Sequence, residues 1–247
     1  MNLIKLIDLF YKKAYDLKDM KQDWDFFAEK DPYYYIIRDE SKKGNKWNDK
    51  NFYSSGKAVV DNFMSNIKKF NLPKNKATAL DFGCAAGRLS EPLAKHFDKV
   101  IGVDISKNMI ELAEDHAEEQ GIDNIEYIEI NSNDLSSIDS NSVDLIISRF
   151  VLEHIPPKHV EEYIKEFARI LAKDGLCSFE MPFSEPKTSD KTRKKQEKNP
   201  PNTMMYSMPK HEIYEIIKNE DCYIIDSKEL TTVAGKEFPT NFYCFTK

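Results

Sequence analysis

The chain has 247 residues, 40% of them hydrophobic and 32% charged, with a formal net charge of −6. That length holds one large α/β domain, or one domain with an appended segment, whose core needs neither disulfides nor metals, and the composition excludes wholesale disorder. The negative charge argues against a nucleic-acid partner, whose phosphates it repels, and four widely spaced cysteines (Cys84, Cys177, Cys222, Cys244) without a Cys-x-x-Cys pair read as reduced thiols of a cytoplasmic protein, not as metal ligands.

Residues 1–10 are partly apolar, but Lys5 and Asp8 interrupt them and no small-residue cleavage site follows. They read as neither a signal peptide nor a membrane span, and no membrane partner is expected. Leu3, Ile4, Ile7, Phe10, Ala14 and Leu17 recur at spacings of one, three and four, which marks one face of an amphipathic helix. Aromatic residues crowd 24–27 and 31–37, the latter with Tyr33, Tyr34 and Tyr35, and lead to a helix predicted over 57–70. Residues 1–72 therefore read as an N-terminal helical cap that covers the substrate, and 73–247 as the core.

From Lys76 onward short apolar or β-branched runs alternate with helical periods. Strands are predicted at 77–82, 99–103, 125–130, 143–148 and 176–181, and helices at 88–96, 107–120 and 159–171. Such alternation predicts a parallel sheet with helices on both faces and a ligand at the carboxyl ends of the first strands. Residues 183–208 are rich in Pro, Lys, Ser and Asn and lack periodicity, as a lid-like insertion or a disordered segment would. Their basic stretch, 187–198, reads first as a solvated loop. A helix at 210–219 follows, then strands at 223–229 and 241–246 joined by a turn-rich link around Gly235 and Pro239, so the chain should close with a hairpin.

The run Thr78-Ala-Leu-Asp-Phe-Gly-Cys-Ala-Ala-Gly87 ends a strand and opens a helix, and its small residues let a ligand approach the backbone. A dinucleotide fingerprint counted from Gly83 needs glycines at 85 and 88, where the chain has Ala85 and Arg88, so that reading weakens. Asp104 closes the second strand, where a carboxylate can accept both ribose hydroxyls of an adenosine. Alternatively it caps the helix that begins near Lys107. Ile105 and Met109 either wall an adenine ring or pack helix against sheet.

These residues also carry a family resemblance. Asp81-Phe-Gly-Cys-Ala-Ala-Gly-Arg-Leu-Ser90, Val103-Asp-Ile-Ser-Lys-Asn-Met-Ile110, Val143-Asp-Leu-Ile-Ile-Ser148 with Leu152-Glu-His-Ile155, and Arg169-Ile-Leu-Ala-Lys-Asp-Gly175 resemble, in order and spacing, the small-molecule type of class I S-adenosylmethionine-dependent methyltransferases. The resemblance covers about residues 75–182. It implies an α/β fold with a Rossmann-like, seven-stranded, mostly parallel sheet, an antiparallel last strand and helices on both faces. It implies S-adenosylmethionine as cofactor and S-adenosylhomocysteine as product. Asp81, Gly83, Cys84, Ala85 and Gly87 would surround the methionine part, Asp104 would hold the ribose, and Ile105 and Met109 would face the adenine. The family commonly has an Asp on the adenine amine after the third strand, and the matching place here is Asn131-Ser132-Asn133-Asp134. Asn131 departs from that acid, although its amide oxygen accepts the same hydrogen bond, so Asn131, Ser132 and Asp134 all stay candidates. Ala85 stands where a glycine is usual, which is tolerated if the backbone there keeps a negative φ.

Methyl transfer is an in-line displacement at a sulfonium carbon, so excluding water and holding the acceptor matter most. A hydroxyl acceptor benefits from a base. His154 is the best-placed candidate, and its alternative is a structural role before Pro156 and Pro157. Arg149 and Glu153 share that rim as substrate-orienting candidates, or as halves of surface ion pairs. Tyr33, Tyr34 and Tyr35, with Phe52 and Tyr53 beyond, either line the pocket and face the sulfonium or form the core of the cap. The expected partner is a small-molecule acceptor, with the basic 187–198 run hinting at an anionic one, and the chain is expected as a monomer or homodimer. An amine-directed nucleic-acid enzyme would need an Asp/Asn-Pro-Pro-aromatic motif after the fourth strand, where Ser148-Arg-Phe-Val151 stands. A noncatalytic methyltransferase-like binding protein is the remaining alternative, and the intact Gly83, Gly87 and Asp104 speak against it.

Overall fold

A computed structural model describes residues 15–183, 205–230 and 239–247. The expected helix face at 3–14, nearly all of the 183–208 segment and Gly235 lie outside these residues. Three helices precede the sheet: α1 (Leu17–Lys30), α2 (Pro32–Ile37) and α3 (Asp49–Ile67). The α1 start is fixed by a capping box between Asp16 and Asp19. In α3 the Asn48 side chain accepts from the Asn51 N–H at 2.9 Å, so the helix begins eight residues before the predicted 57 and takes Phe52 and Tyr53 into its first turns.

Strands β1 (Thr78–Phe82), β2 (Lys99–Asp104), β3 (Ile125–Glu129), β4 (Val143–Ser148), β5 (Leu171–Pro182), β6 (Tyr223–Leu230) and β7 (Thr240–Thr246) form one sheet. Their spatial order is β3-β2-β1-β4-β5-β7-β6, with β7 antiparallel to both its neighbours and the remaining pairs parallel. The closing β6–β7 hairpin is present as expected. Strand β5 starts at Leu171 and not 176, because Leu171 pairs with Val143 before residues 172–175 bulge out and pairing resumes at Leu145 with Leu176. Asp174, at φ 58°, makes that bulge turn.

Between the strands run α4 (Ser90–Leu93), α5 (Lys107–Glu119), α6 (Pro157–Ile170) and α7 (Lys210–Asn219). The predicted 88–96 helix is shortened to α4, with turns on either side of it. One sheet face packs Phe82, Phe179 and Tyr243 against α6 and α7 through Phe167, Ile164 and Ile213. The other packs Ala79, Leu145 and Ile147 against Val60, Phe63 and Ile67 of α3. Every residue of β4 is buried, as a central parallel strand covered on both faces requires. No helix among the described residues is long and apolar enough to cross a membrane.

Candidate active site

The carboxyl ends of β1, β2 and β4 meet at one edge of the sheet, and a narrow, partly open cavity lies there. Phe82, Gly83, Val103, Asp104, Ile105 and Ile130 form its floor, and Arg149 to Val151, His154, Ile155 and Tyr163 one wall. Met20 and Trp24 of α1 and Ile36 of α2 roof it.

The turn after β1 enters the left-handed region at Gly83 (φ 76°), Ala85 (φ 46°) and Gly87 (φ 78°). The N–H groups of Gly83 and Cys84 both donate to Val103 O, at 2.8 and 3.0 Å, which ties the turn to β2. A Cβ at Gly83 would lie 2.3 Å from Val151 Cγ2, so a side chain there is blocked by space as well as by backbone. The expectation of a negative φ at Ala85 is overturned. A left-handed alanine costs about 1–2 kcal/mol, and two contacts offset it: its N–H donates to Asp104 Oδ2 at 2.9 Å, and its methyl packs with Phe27 and Met109.

Asp104 accepts a second backbone bond, Ser106 N–H to Oδ1 at 2.9 Å. It does not cap α5. Ser106 does, its Oγ accepting from Met109 N–H at 3.2 Å while donating to Asp25 Oδ1 at 2.7 Å. Each Asp104 oxygen thus keeps one lone pair beside the cavity. Burial pushes the Asp104 carboxyl up to about 6, and it is ionised at neutral pH. Asp81 is likewise pushed up to about 6 by burial and accepts from Ser90 Oγ at 2.7 Å. The α1 roof is fastened over this end by Lys21, whose Nζ donates to Ile105 O at 3.3 Å and to Glu129 Oε1 at 2.8 Å.

The opposite end has another character. Arg149 and Glu180 lie one step past the Ser148–Phe179 pair, side by side on neighbouring strands, with Arg149 Nη2 2.7 Å from Glu180 Oε1. Burial, then the charge of Glu180, pushes the Glu153 carboxyl up to about 8. Glu153 Oε2, Glu180 Oε2 and Arg149 Nε are buried without a hydrogen-bond partner among the described residues. Arg88 is buried too, its Nη1 reaching only Ser55 Oγ at 3.3 Å.

Comparison with known proteins agrees with this geometry. Residues 79–175 match the family of the methyltransferase domain. The ubiquinone biosynthesis O-methyltransferase of Coxiella burnetii (strain RSA 493 / Nine Mile phase I) is 38% identical over 100 residues, 40% of this chain and 41% of that protein. That of Agrobacterium fabrum is 32% identical over 118 residues, 48% of this chain and 45% of its own. The chain thus matches less than half the length of these curated relatives. Magnesium protoporphyrin IX methyltransferase from Synechocystis PCC 6803, solved with bound SAH, superposes at a TM-score of 0.61 with 19% identity over 90% of this chain and 97% of that one. The [4+2]-cyclase SpnF superposes at 0.67 with 12% identity, covering 95% and 97%.

Within the matched residues, Gly83, Ala85, Asp104, Ile105, Arg149 and His154 border the cavity, and His154 meets Trp24 edge to face at 5.6 Å. Asp81, Cys84, Met109 and Glu153 are buried behind that lining, and a Cβ on Gly87 would meet Tyr127 Oη at 2.5 Å. Asn131, Ser132 and Asp134 lie beyond Ile130, exposed, and Asp134 accepts from Ser136 Oγ at 2.6 Å. The three tyrosines do not converge on the cavity. Tyr33 stacks on Phe52 and donates to Asp49, Tyr34 donates to Glu40, and Tyr35 stacks on Phe27. The basic 187–198 run lies outside the described residues. Sequence reasoning missed Met20, Trp24 and Ile36 as roof and Glu180 as the partner of Arg149. The signal for Glu180 was an acid inside the apolar run Leu176-Cys-Ser-Phe-Glu-Met181.

Proposed function

We propose that this chain is an enzyme that uses S-adenosylmethionine to methylate an oxygen atom of a small molecule. The observation that carries the reading is Asp104, an ionised carboxylate at the end of β2 with a spare lone pair on each oxygen, facing a largely apolar cavity. Bound there, S-adenosylmethionine would supply an electrophilic methyl group on a sulfonium. Asp104 accepts the ribose hydroxyls, the 83–87 turn lets the amino-acid part approach the backbone, and Ile105, Ile130 and Tyr163 offer the adenine an apolar slot.

Met20 and Trp24 keep water from the reacting centre. His154, on the cavity wall, takes the proton that the acceptor hydroxyl loses, and Arg149, steadied by Glu180, orients the acceptor. The ubiquinone biosynthesis O-methyltransferases support oxygen as the accepting atom. S-adenosylhomocysteine should raise the melting temperature whereas NADH should not, and Asp104→Ala should abolish the shift. Stabilisation by NADH alone would overturn the reading. Incubation with methyl-labelled cofactor and a metabolite extract then identifies the acceptor through its labelled product.

A further inference from the structure

The strained turn that follows β1 is supported from outside the methyltransferase-domain match. Ala85 and Gly87 are both left-handed, and the carbonyl between them, that of Ala86, accepts the Tyr53 hydroxyl at 2.9 Å. Tyr53 does not line the cavity. It sits in the first turns of α3 and borders a surface groove with Ser54, Lys57 and Pro92. Its ring lies flat on His116 of α5, centroids 3.5 Å apart and planes 5° from parallel. The His116 Nδ1 is 2.5 Å from Glu91 Oε1, and Glu91 belongs to α4, the helix into which the turn runs. Contacts thus close a ring: turn to Tyr53, Tyr53 to His116, His116 to Glu91, and Glu91 back to the turn.

We infer that Tyr53 is a positioning residue for the donor site, holding the 85–87 backbone in the shape that receives the cofactor. A residue in a sparsely populated conformation persists only where its surroundings over-determine it. Here Asp104 grips the Ala85 N–H from the cavity side, and Tyr53 grips the next carbonyl from the other side. Burial drives the Tyr53 hydroxyl far above its ordinary pKa, so it remains a donor at every working pH. The fit of α3 to the turn leaves no slack: a Cβ on Gly56, one residue past Ser55, would stand 2.0 Å from Arg88 O. Because Tyr53 reaches Ala86 at one end and α5 at the other, loss of its hydroxyl frees the turn without disturbing Asp104.

This inference rests on the cofactor reading above, and the two fail separately. Tyr53→Phe keeps the stack on His116 and removes the hydrogen bond to Ala86 O together with the hydroxyl contact to Tyr33, a loss that Tyr33→Phe measures by itself. Calorimetric titration with S-adenosylhomocysteine should give a Kd about three- to tenfold higher in the variant, the weight of one neutral hydrogen bond. In the labelled-methyl assay with extract, the cofactor concentration for half-maximal transfer should rise by the same factor with the plateau unchanged. Amide hydrogen exchange over 84–88 should be faster in the ligand-free variant. A folded Tyr53→Phe protein with wild-type Kd and wild-type half-saturation overturns the positioning role, even if its melting temperature falls. Absence of S-adenosylhomocysteine binding in the wild-type protein overturns the cofactor reading instead.

Discussion

Replacing Glu153 by glutamine tests the electrostatics of the β4–β5 end of the cavity. The Glu153 carboxyl is held near 8 by burial and by the charge of Glu180, against an ordinary value of 4.5. In the folded protein it therefore keeps a proton that the unfolded chain has already released. Between those two values the native state binds more protons than the unfolded state, so stability is fully present below the ordinary value and is lost as pH rises. The loss runs at about 1.4 kcal/mol per pH unit. From about pH 6 to about pH 8 the wild-type protein should lose roughly 2–3 kcal/mol from this group alone. Glutamine fills the same space and does not titrate, so in Glu153→Gln that part of the slope disappears. Urea unfolding at both pH values reads it directly, since the slope of free energy on denaturant stays fixed while the midpoint moves. The variant should overtake the wild type in stability as the pH rises. Parallel pH dependence in the two proteins would refute the assignment of a protonated Glu153 beside an ionised Glu180.

Gly56→Ala carries a sign that separates two effects. In an ordinary helix interior the change stabilises by about 1 kcal/mol, whereas the approach of 2.0 Å to Arg88 O should reverse it, to a loss of about 1–3 kcal/mol by overpacking. A raised melting temperature would show that α3 stands further from the turn. For Asp104, held at about 6 by burial, S-adenosylhomocysteine affinity should weaken about tenfold by about pH 5 as the ribose-accepting carboxylate takes a proton. Asp104→Asn should flatten that limb of the titration curve. Equal limbs in the two proteins would assign the effect to another group, with Asp81 the first to examine.

The central strands were legible because their burial leaves no alternative. Val143 to Ser148 is buried at every position, and a run of that composition between turn signals reads as an inner strand. The glycine turn was legible from residue size alone, but its backbone was not. Ala85 takes a left-handed φ that its side chain disfavours, because Asp104 and Tyr53, 19 and 32 positions away in sequence, hold it there. Of the two readings of the tyrosine cluster, the structure gives the cap for a geometric reason. Residues 33, 34 and 35 are consecutive on a helix, about 100° apart around its axis, so they leave in three directions and meet Asp49, Glu40 and Phe27 in turn.

Helical periodicity shows that a helix has an apolar face, but it says nothing of what that face covers. On α1, Met20 and Trp24 are four apart and both line the cavity, while Phe27, three further on, packs with Ala85 and Met109. One stripe thus serves as roof for the cavity and as core for the turn. The polar side of the same helix fixes where the roof lands: Lys21 reaches Ile105 and Glu129, and Asp25 receives Ser106. These anchors lie in the link from β2 to α5 (Ile105 and Ser106) and at the end of β3 (Glu129), at the end where the cofactor is proposed to sit. At the β4–β5 end Arg149 Nε, Glu153 Oε2 and Glu180 Oε2 are buried without a hydrogen-bond partner among the described residues. A buried unpaired carboxylate oxygen costs about 1–3 kcal/mol or more, and a hydrogen-bond donor on an acceptor molecule would recover part of that cost. If the donor sits at Asp104 and the acceptor at Arg149, as proposed, substitutions at Glu180, which pairs with Arg149, should alter which acceptor is used while leaving S-adenosylhomocysteine affinity near its wild-type value.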